Sequence, residues 1–135
     1  MTVTAPNTEG KGWMSIPITG GTATSAGALA AVLNPEGVDV LITRGILYIS
    51  SNSTGGANLV AGVAASATTA GSDIIGTLAM AAAEGNYYNA FATGTASVTE
   101  ISTPAIWADD EYVVVTGSAS RAGLAGTLYI EYLRI

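Results

Sequence analysis

The chain has 135 residues, with 4 Lys and Arg against 10 Asp and Glu, a net charge of −6, and neither cysteine nor histidine. This balance argues against a nucleic-acid partner, which calls for a cationic stripe, and against anionic lipid surfaces, which would repel it. Without thiols or imidazoles there are no disulfides, thiolate nucleophiles or zinc–thiolate sites, and Ser-His-Asp, Cys-His and zinc-water chemistries are closed within one chain.

What remains open is carboxylate chemistry, oxygen-ligated Ca²⁺ or Mg²⁺, or no chemistry. The last is the expectation: no enzyme, no cofactor, no metal. A chain of this length forms one domain that buries roughly two thirds of its unfolded surface. No run of about 18 apolar residues is present, so no membrane span is expected. The opening "MTVTAPNTEGKG" has neither a basic nor an apolar leader region, so no secretory signal is expected. Ala, Gly, Ser and Thr supply 24, 17, 11 and 17 residues, so large core formers are few and backbones must approach closely. Charged residues are 10%, against roughly 25% in an average soluble domain. A small-residue exterior with so little charge suits packing against other subunits.

In chain order, residues 1–12 contain Pro6, Asn7, Gly10 and Gly12 without periodicity and are expected to form an extended arm, leaving 13–135 as the folded domain. "WMSIPIT" reads as a short strand that Pro17 confines to an edge or an end. "GGTATSAGALAAVLN" combines helix-favouring alanines with glycines and threonines, and reads as a loop leading into a strand over about 28–33. "NPEG" fits a type I turn, with Asn first, Pro fixing φ second and Gly fourth. Residues 38–50 follow as a long strand. Val38, Val40, Ile42, Ile46 and Tyr48 share one parity and Leu41, Leu47 and Ile49 the other, so both faces are apolar and the strand is central or covered. A bulge is expected at Gly45.

"SSNSTGG" is a loop, "ANLVAGVAA" a strand, "SATTAGSD" a loop and "IIGTLAM" a strand. Residues 79–84 read as a helical turn, with Tyr87, Tyr88 and Phe91 packing aromatics beyond it, and "ASVTEIS" as a strand ending before Pro104. "EYVVVTGSAS" and "GTLYIEYLRI" are the clearest pair of strands, with "RAGLA" between them. In the latter, Leu128, Ile130 and Tyr132 form an apolar face and Thr127, Tyr129, Glu131 and Leu133 a mixed one. The sum is a single-domain, all-β antiparallel sandwich, jelly-roll-like or Ig-like, of about seven to nine strands.

Candidate sites are sparse. "ADDEY" lacks the interleaved spacing of a calcium loop and reads as a solvated turn entering the Tyr112 strand. Asp39, Asp73, Glu84 and Glu100 are scattered, with nothing placing two of them across a cleft as glycoside hydrolysis requires. The Gly20–Gly21 and Gly55–Gly56 pairs are turns, not phosphate loops. "NST" at 52–54 matches the glycosylation pattern by chance. Trp13, Trp107, Tyr87 and Tyr88 are either the main core fillers or a sugar-binding platform. Arg44 and Arg121 are two of the four cations. Each is expected to sit at a sheet edge, to pair with a carboxylate such as Glu131 or Glu36, or to reach across a subunit interface, where arginine is enriched.

"NPEGVDVLITRGILYI", "AGVAASATTAGSD" and "IWADDEYVVVTGSASRAGLAGTLYIEYLRI" together resemble the small head-decoration (capsid cement) proteins of tailed bacteriophages and prophages. The resemblance covers roughly half the chain. It implies a β-sandwich on the outer surface of the virion capsid, commonly a trimer, that clamps adjacent subunits of the major capsid protein, with the N-terminal arm reaching a neighbour. No residue inherits a role from it. Val3, Trp13 and Met14 are the expected arm anchors, and Arg44 the expected interface cation. A carbohydrate-binding or adhesive module, and a tail or head–tail connector subunit, are the alternatives.

Overall fold

The computed structural model describes residues 10–55, 58–79, 85, 87–88 and 104–135. Within them lie nine strands and no helix: β1 (Lys11–Thr19), β2 (Gly27–Leu33), β3 (Val40–Ser51), β4 (Asn58–Ala64), β5 (Ile75–Ala79), β6 (Tyr87–Tyr88), β7 (Ala105–Trp107), β8 (Tyr112–Gly117) and β9 (Ala125–Arg134). They form two antiparallel sheets. One runs β1-β9-β3-β6, with β7 also on β3, and the other β2-β8-β4-β5. The expected all-β sandwich is therefore the fold. β1 begins at Lys11, so Lys11 and Gly12 belong to the sheet and Gly10 leads into it. Ala79, expected to open a helical turn, instead ends β5. Residues 1–9 of the expected arm, residues 80–84 of that turn, Phe91 and the 96–102 strand lie outside the described residues.

The two-sided apolarity of β3 has a specific cause. Its pairing with β9 slips between Ile42 and Arg44. The bulge is therefore at Thr43–Arg44, not at Gly45 as the sequence suggested. An extra residue in a strand of period two exchanges its faces. Val40 and Ile42 point inward before the bulge and Leu47 and Ile49 after it, all fully buried. Leu41, and then Ile46 and Tyr48, face outward and are half-buried. Gly45 serves a different purpose: a Cβ there would collide with Cγ2 of Ile74, so the missing side chain lets the sheets close together.

The core is filled from both inner faces. β1 gives Ile16 and Ile18, β9 gives Leu128, Ile130 and Tyr132, and Leu59, Leu78, Val113 and Val115 come from the other sheet. Trp107 is its largest fully buried side chain and meets Tyr132 edge to face, with ring centroids 6.2 Å apart. Pro17 sits in β1, an edge strand, as a residue with no N–H requires.

β8 and β9, neighbours in sequence, do not pair. β8 lies between β2 and β4, and β9 between β1 and β3. The connection over 118–124 thus crosses between sheets, and Arg121 holds it: its Nε donates to the Ser25 carbonyl at 2.9 Å and its Nη1 to that of Ala28. The Arg121 amide donates to Ala23 at 2.9 Å. The expected carboxylate partner is replaced by carbonyls of the β1–β2 loop and the start of β2, so this cation staples its own connection to the loop that leads into β2.

The "NPEG" turn joins the sheets at the other end. Asn34 is only 5% exposed. Its Oδ1 accepts from the Glu36 amide at 2.9 Å, which tightens the turn, and Gly37 completes it at φ +68°. Its Nδ2 donates to the carbonyls of Val38 and Trp107, both at 2.9 Å, and of Ala108 at 3.1 Å, while its backbone N–H bonds Glu111 at 3.0 Å. One carboxamide thus ties the end of β2 to β7 and to the approach to β3. Removing a buried hydrogen-bonding group leaves its partners unsatisfied. Asn34→Ala is expected to cost about 3 kcal/mol, and Asn34→Asp to fail to rescue it because it cannot donate. Urea unfolding of the three proteins checks this.

Candidate interaction surface

The strand register makes the outer face of the five-stranded sheet a map of rows. Lys11, Leu133, Leu41 and Ile106 lie across it at one end. The next row is Trp13, Glu131 and Arg44, then Ser15, Tyr129 and Ile46, then Pro17, Thr127, Tyr48 and Tyr87. Trp13, Tyr129 and Tyr48 are successive diagonal neighbours, about 7–8 Å apart by sheet geometry. Tyr87 extends the stripe by stacking on Tyr48, with ring centroids 4.6 Å apart. Trp13 is 56% exposed and Tyr87 67%. Ile106 and Leu133 are also exposed, so the stripe continues into an apolar rim.

The charged centre of this face is Glu131. Lys11 Nζ lies 3.4 Å from its Oε2 and the Thr43 hydroxyl donates to its Oε1 at 2.9 Å. Partial burial opposes its charge, but the bonds from Thr43 and Lys11, together with the charges of Lys11 and Arg44, outweigh that and hold its carboxyl below the usual range. Arg44, placed opposite Glu131 by the bulge, is exposed, and its side chain makes no hydrogen bond or ion pair with another described residue. Lys11 occupies the position at Glu131 that the sequence suggested for arginine.

The four expected contact residues therefore separate. Trp13 and Arg44 share the outer face on either side of Glu131. Met14, one residue on, points the opposite way and packs against the core. Val3 lies outside the described residues. The expected aromatic group also divides: Trp107 and Tyr88 are core residues, whereas Trp13 and Tyr87 are exposed. Tyr48 and Tyr129 join them, which sequence alone had not singled out. Strand alternation gave Tyr129 its side, but the row it shares is set by register.

Beyond Leu41 and Ile106, the face meets the end of the sandwich. Glu36 is held there between Tyr132 and Arg134: the Tyr132 hydroxyl donates to its Oε1 at 2.6 Å, Arg134 Nε donates to its Oε2 at 2.7 Å, and Nη2 of the same arginine completes an ion pair. Those bonds, the tyrosine's first, lower the Glu36 pKa. Burial, then the Glu36 bond, pushes the Tyr132 hydroxyl up to about 12. Asp39, Asp109 and Asp110 are exposed at the same end, with the Asp109 amide donating to Asp39 Oδ1 at 3.2 Å. "ADDEY" is thus the solvated turn that its sequence suggests. Among the described residues no group of three or more acidic side chains is arranged to hold a metal ion.

No protein-family model matches this chain, and no curated protein matches it. Among solved structures it is similar to a chain of the "Acidic stable capsid structure of Helicobacter pylori bacteriophage KHP30", with 14% identity, a TM-score of 0.48, and coverage of 91% of this chain and 86% of that one. At that level the likeness carries no functional weight.

The Glu36–Tyr132 pair makes stability depend on pH at both extremes. The folded pKa of Glu36 lies below its ordinary 4.5, so its contribution is present above that value and is lost as pH falls through the folded pKa. Tyr132 is raised from 10.0 to about 12, so over that interval the folded state retains a proton that the unfolded chain has released, and stability falls as pH rises. Tyr132→Phe is expected to remove the alkaline loss and shrink the acid one. Urea midpoints across both limbs, for wild type and variant, check this.

Proposed function

We propose that this chain is a non-enzymatic structural subunit of a tailed-bacteriophage virion: a decoration or cement protein that sits on the outer surface of the head and clamps adjacent major capsid protein subunits. The observation that carries the reading is the outer face of the five-stranded sheet, where Trp13, Tyr129, Tyr48 and Tyr87 form an aromatic stripe beside an exposed Arg44. Aromatic residues and arginine are the types enriched at protein–protein contacts. The resemblance of the segments beginning at Asn34, Ala61 and Ile106 to capsid cement proteins supports the same reading. So does the shortage of surface charge, at 10% of the chain.

The physical mechanism is burial repeated over a lattice. Covering the exposed part of Trp13 with a neighbouring virion subunit contributes about 2–3 kcal/mol on an area basis, and repeating modest contacts over the lattice multiplies the hold on the shell. A net charge of −6 disfavours contact with the packaged nucleic acid. The division of Trp107 and Tyr88 from Tyr87 removes half of the aromatic set on which a sugar platform would depend.

Co-sedimentation with expanded and unexpanded phage heads tests the proposal. Wild type is expected to bind expanded heads, and Trp13→Ala to weaken that binding by about tenfold or more while leaving the urea midpoint nearly unchanged. Loss of neither protein from the head fraction on alanine substitution, or no binding by wild type, sinks it.

A further inference from the structure

We propose that the aromatic face of the five-stranded sheet seats the acidic end of a second copy of this chain, so that copies join face to end and close into a ring. This names the partner of the assembly face and rests on the reading of that face just given. Lys11 and Glu131 neutralise one another, and Arg44 leaves the face with a positive surplus in a chain whose net charge is −6. Arg44 is also the one described cation with neither an ion pair nor a hydrogen bond to another described residue. A strongly negative surface is its natural complement.

The molecule itself carries such a surface. Asp39, Asp109 and Asp110 are exposed at the end of the sandwich and make no ion pair with a described cation. Beside them Val38 is 45% exposed and Ile135 66%. That end therefore offers carboxylates for Arg44 and apolar side chains for the Trp13–Tyr129–Tyr48 stripe. Two faces laid against each other would oppose their positive surpluses, and two acidic ends would repel more strongly. End onto face is the arrangement that pairs opposite charges. It is a heterologous contact between two different surfaces, which forms a ring when the rotation closes. Every copy then uses both surfaces once, and the opposite broad side of the sandwich stays free.

The test is the mass of the purified full chain by light scattering, with charge exchange. Wild type is expected to form a closed multiple of its 13.4 kDa mass, dissociating as salt is raised. Arg44→Glu alone, and Asp109→Arg with Asp110→Arg, are each expected to raise the dissociation constant about tenfold or more. All three substitutions in one chain restore opposite charges across every contact and are expected to recover the oligomer, which a merely misfolded variant would not do. An unchanged mass for Arg44→Glu, or no recovery in the combined variant, overturns the inference. A monomeric wild type that still binds expanded heads through Trp13 overturns it too, while leaving the assembly-face reading intact and identifying the shell as the occupant. A monomer that binds nothing ends both.

Discussion

The buried carboxamide of Asn34 is the joint on which the two sheets depend. A sandwich of small residues gains little from side-chain volume, so the relative placement of its layers needs directional bonds as well as apolar contact. Asn34 supplies them at one corner: it reaches Trp107 and Ala108 on the β7 side, Val38 on the way into β3, and Glu111 beside β8. An aspartate in the same place would offer no donor, and a glutamine would set its amide one carbon further out. The same corner fixes Trp107, whose Nε1 donates to the Glu111 carbonyl at 2.8 Å. The largest core side chain and the joint between layers are thus stabilised by one set of backbone carbonyls.

From that corner the chain enters β3, and the bulge at Thr43–Arg44 decides what the outside of the sheet looks like. Without it, the parity that buries Val40 and Ile42 would also bury Arg44, Ile46 and Tyr48 and would expose Leu47 and Ile49. The cost of an unpaired arginine in the core is several kcal/mol, so the register with the bulge wins by a wide margin. Its consequence is a sheet whose inner face is wholly apolar and whose outer face carries Arg44 opposite Glu131, with Tyr48 in line with the stripe. Surface chemistry here follows from core packing.

Much of this was legible in the sequence, and the failures share one cause. Turn chemistry at "NPEG", the edge position implied by Pro17 and the two faces of β9 are local properties, and the structure has them. The position of the bulge, the assignment of β8 and β9 to different sheets, and the partners of the cations depend on register between distant strands. No local pattern encodes that register. Gly45 drew the bulge by propensity, yet what it answers to is Ile74, just before β5 of the facing sheet. Trp13 and Trp107 are alike in sequence terms, but one lies on the outer side of an edge strand and the other against Tyr132 in the core.

The fold uses its four cations differently. Arg134 closes on Glu36, Arg121 staples its connection through carbonyls to the loop that leads into β2, and Lys11 neutralises Glu131; each of the three has a partner that the fold itself provides. In a chain with ten acidic residues a cation could find a carboxylate almost anywhere on the surface. Arg44 instead shares Glu131 with Lys11 and closes no ion pair of its own among the described residues, with aromatic rings on the same face and the exposed Asp39, Asp109 and Asp110 at the end of the sandwich beyond Leu41 and Ile106. Apolar burial has no direction, so a flat aromatic stripe by itself would accept many orientations of a partner. A single positive charge within it admits the orientations that bring a carboxylate near and penalises the rest. On such a surface the aromatic rings supply the strength of a contact and Arg44 its geometry.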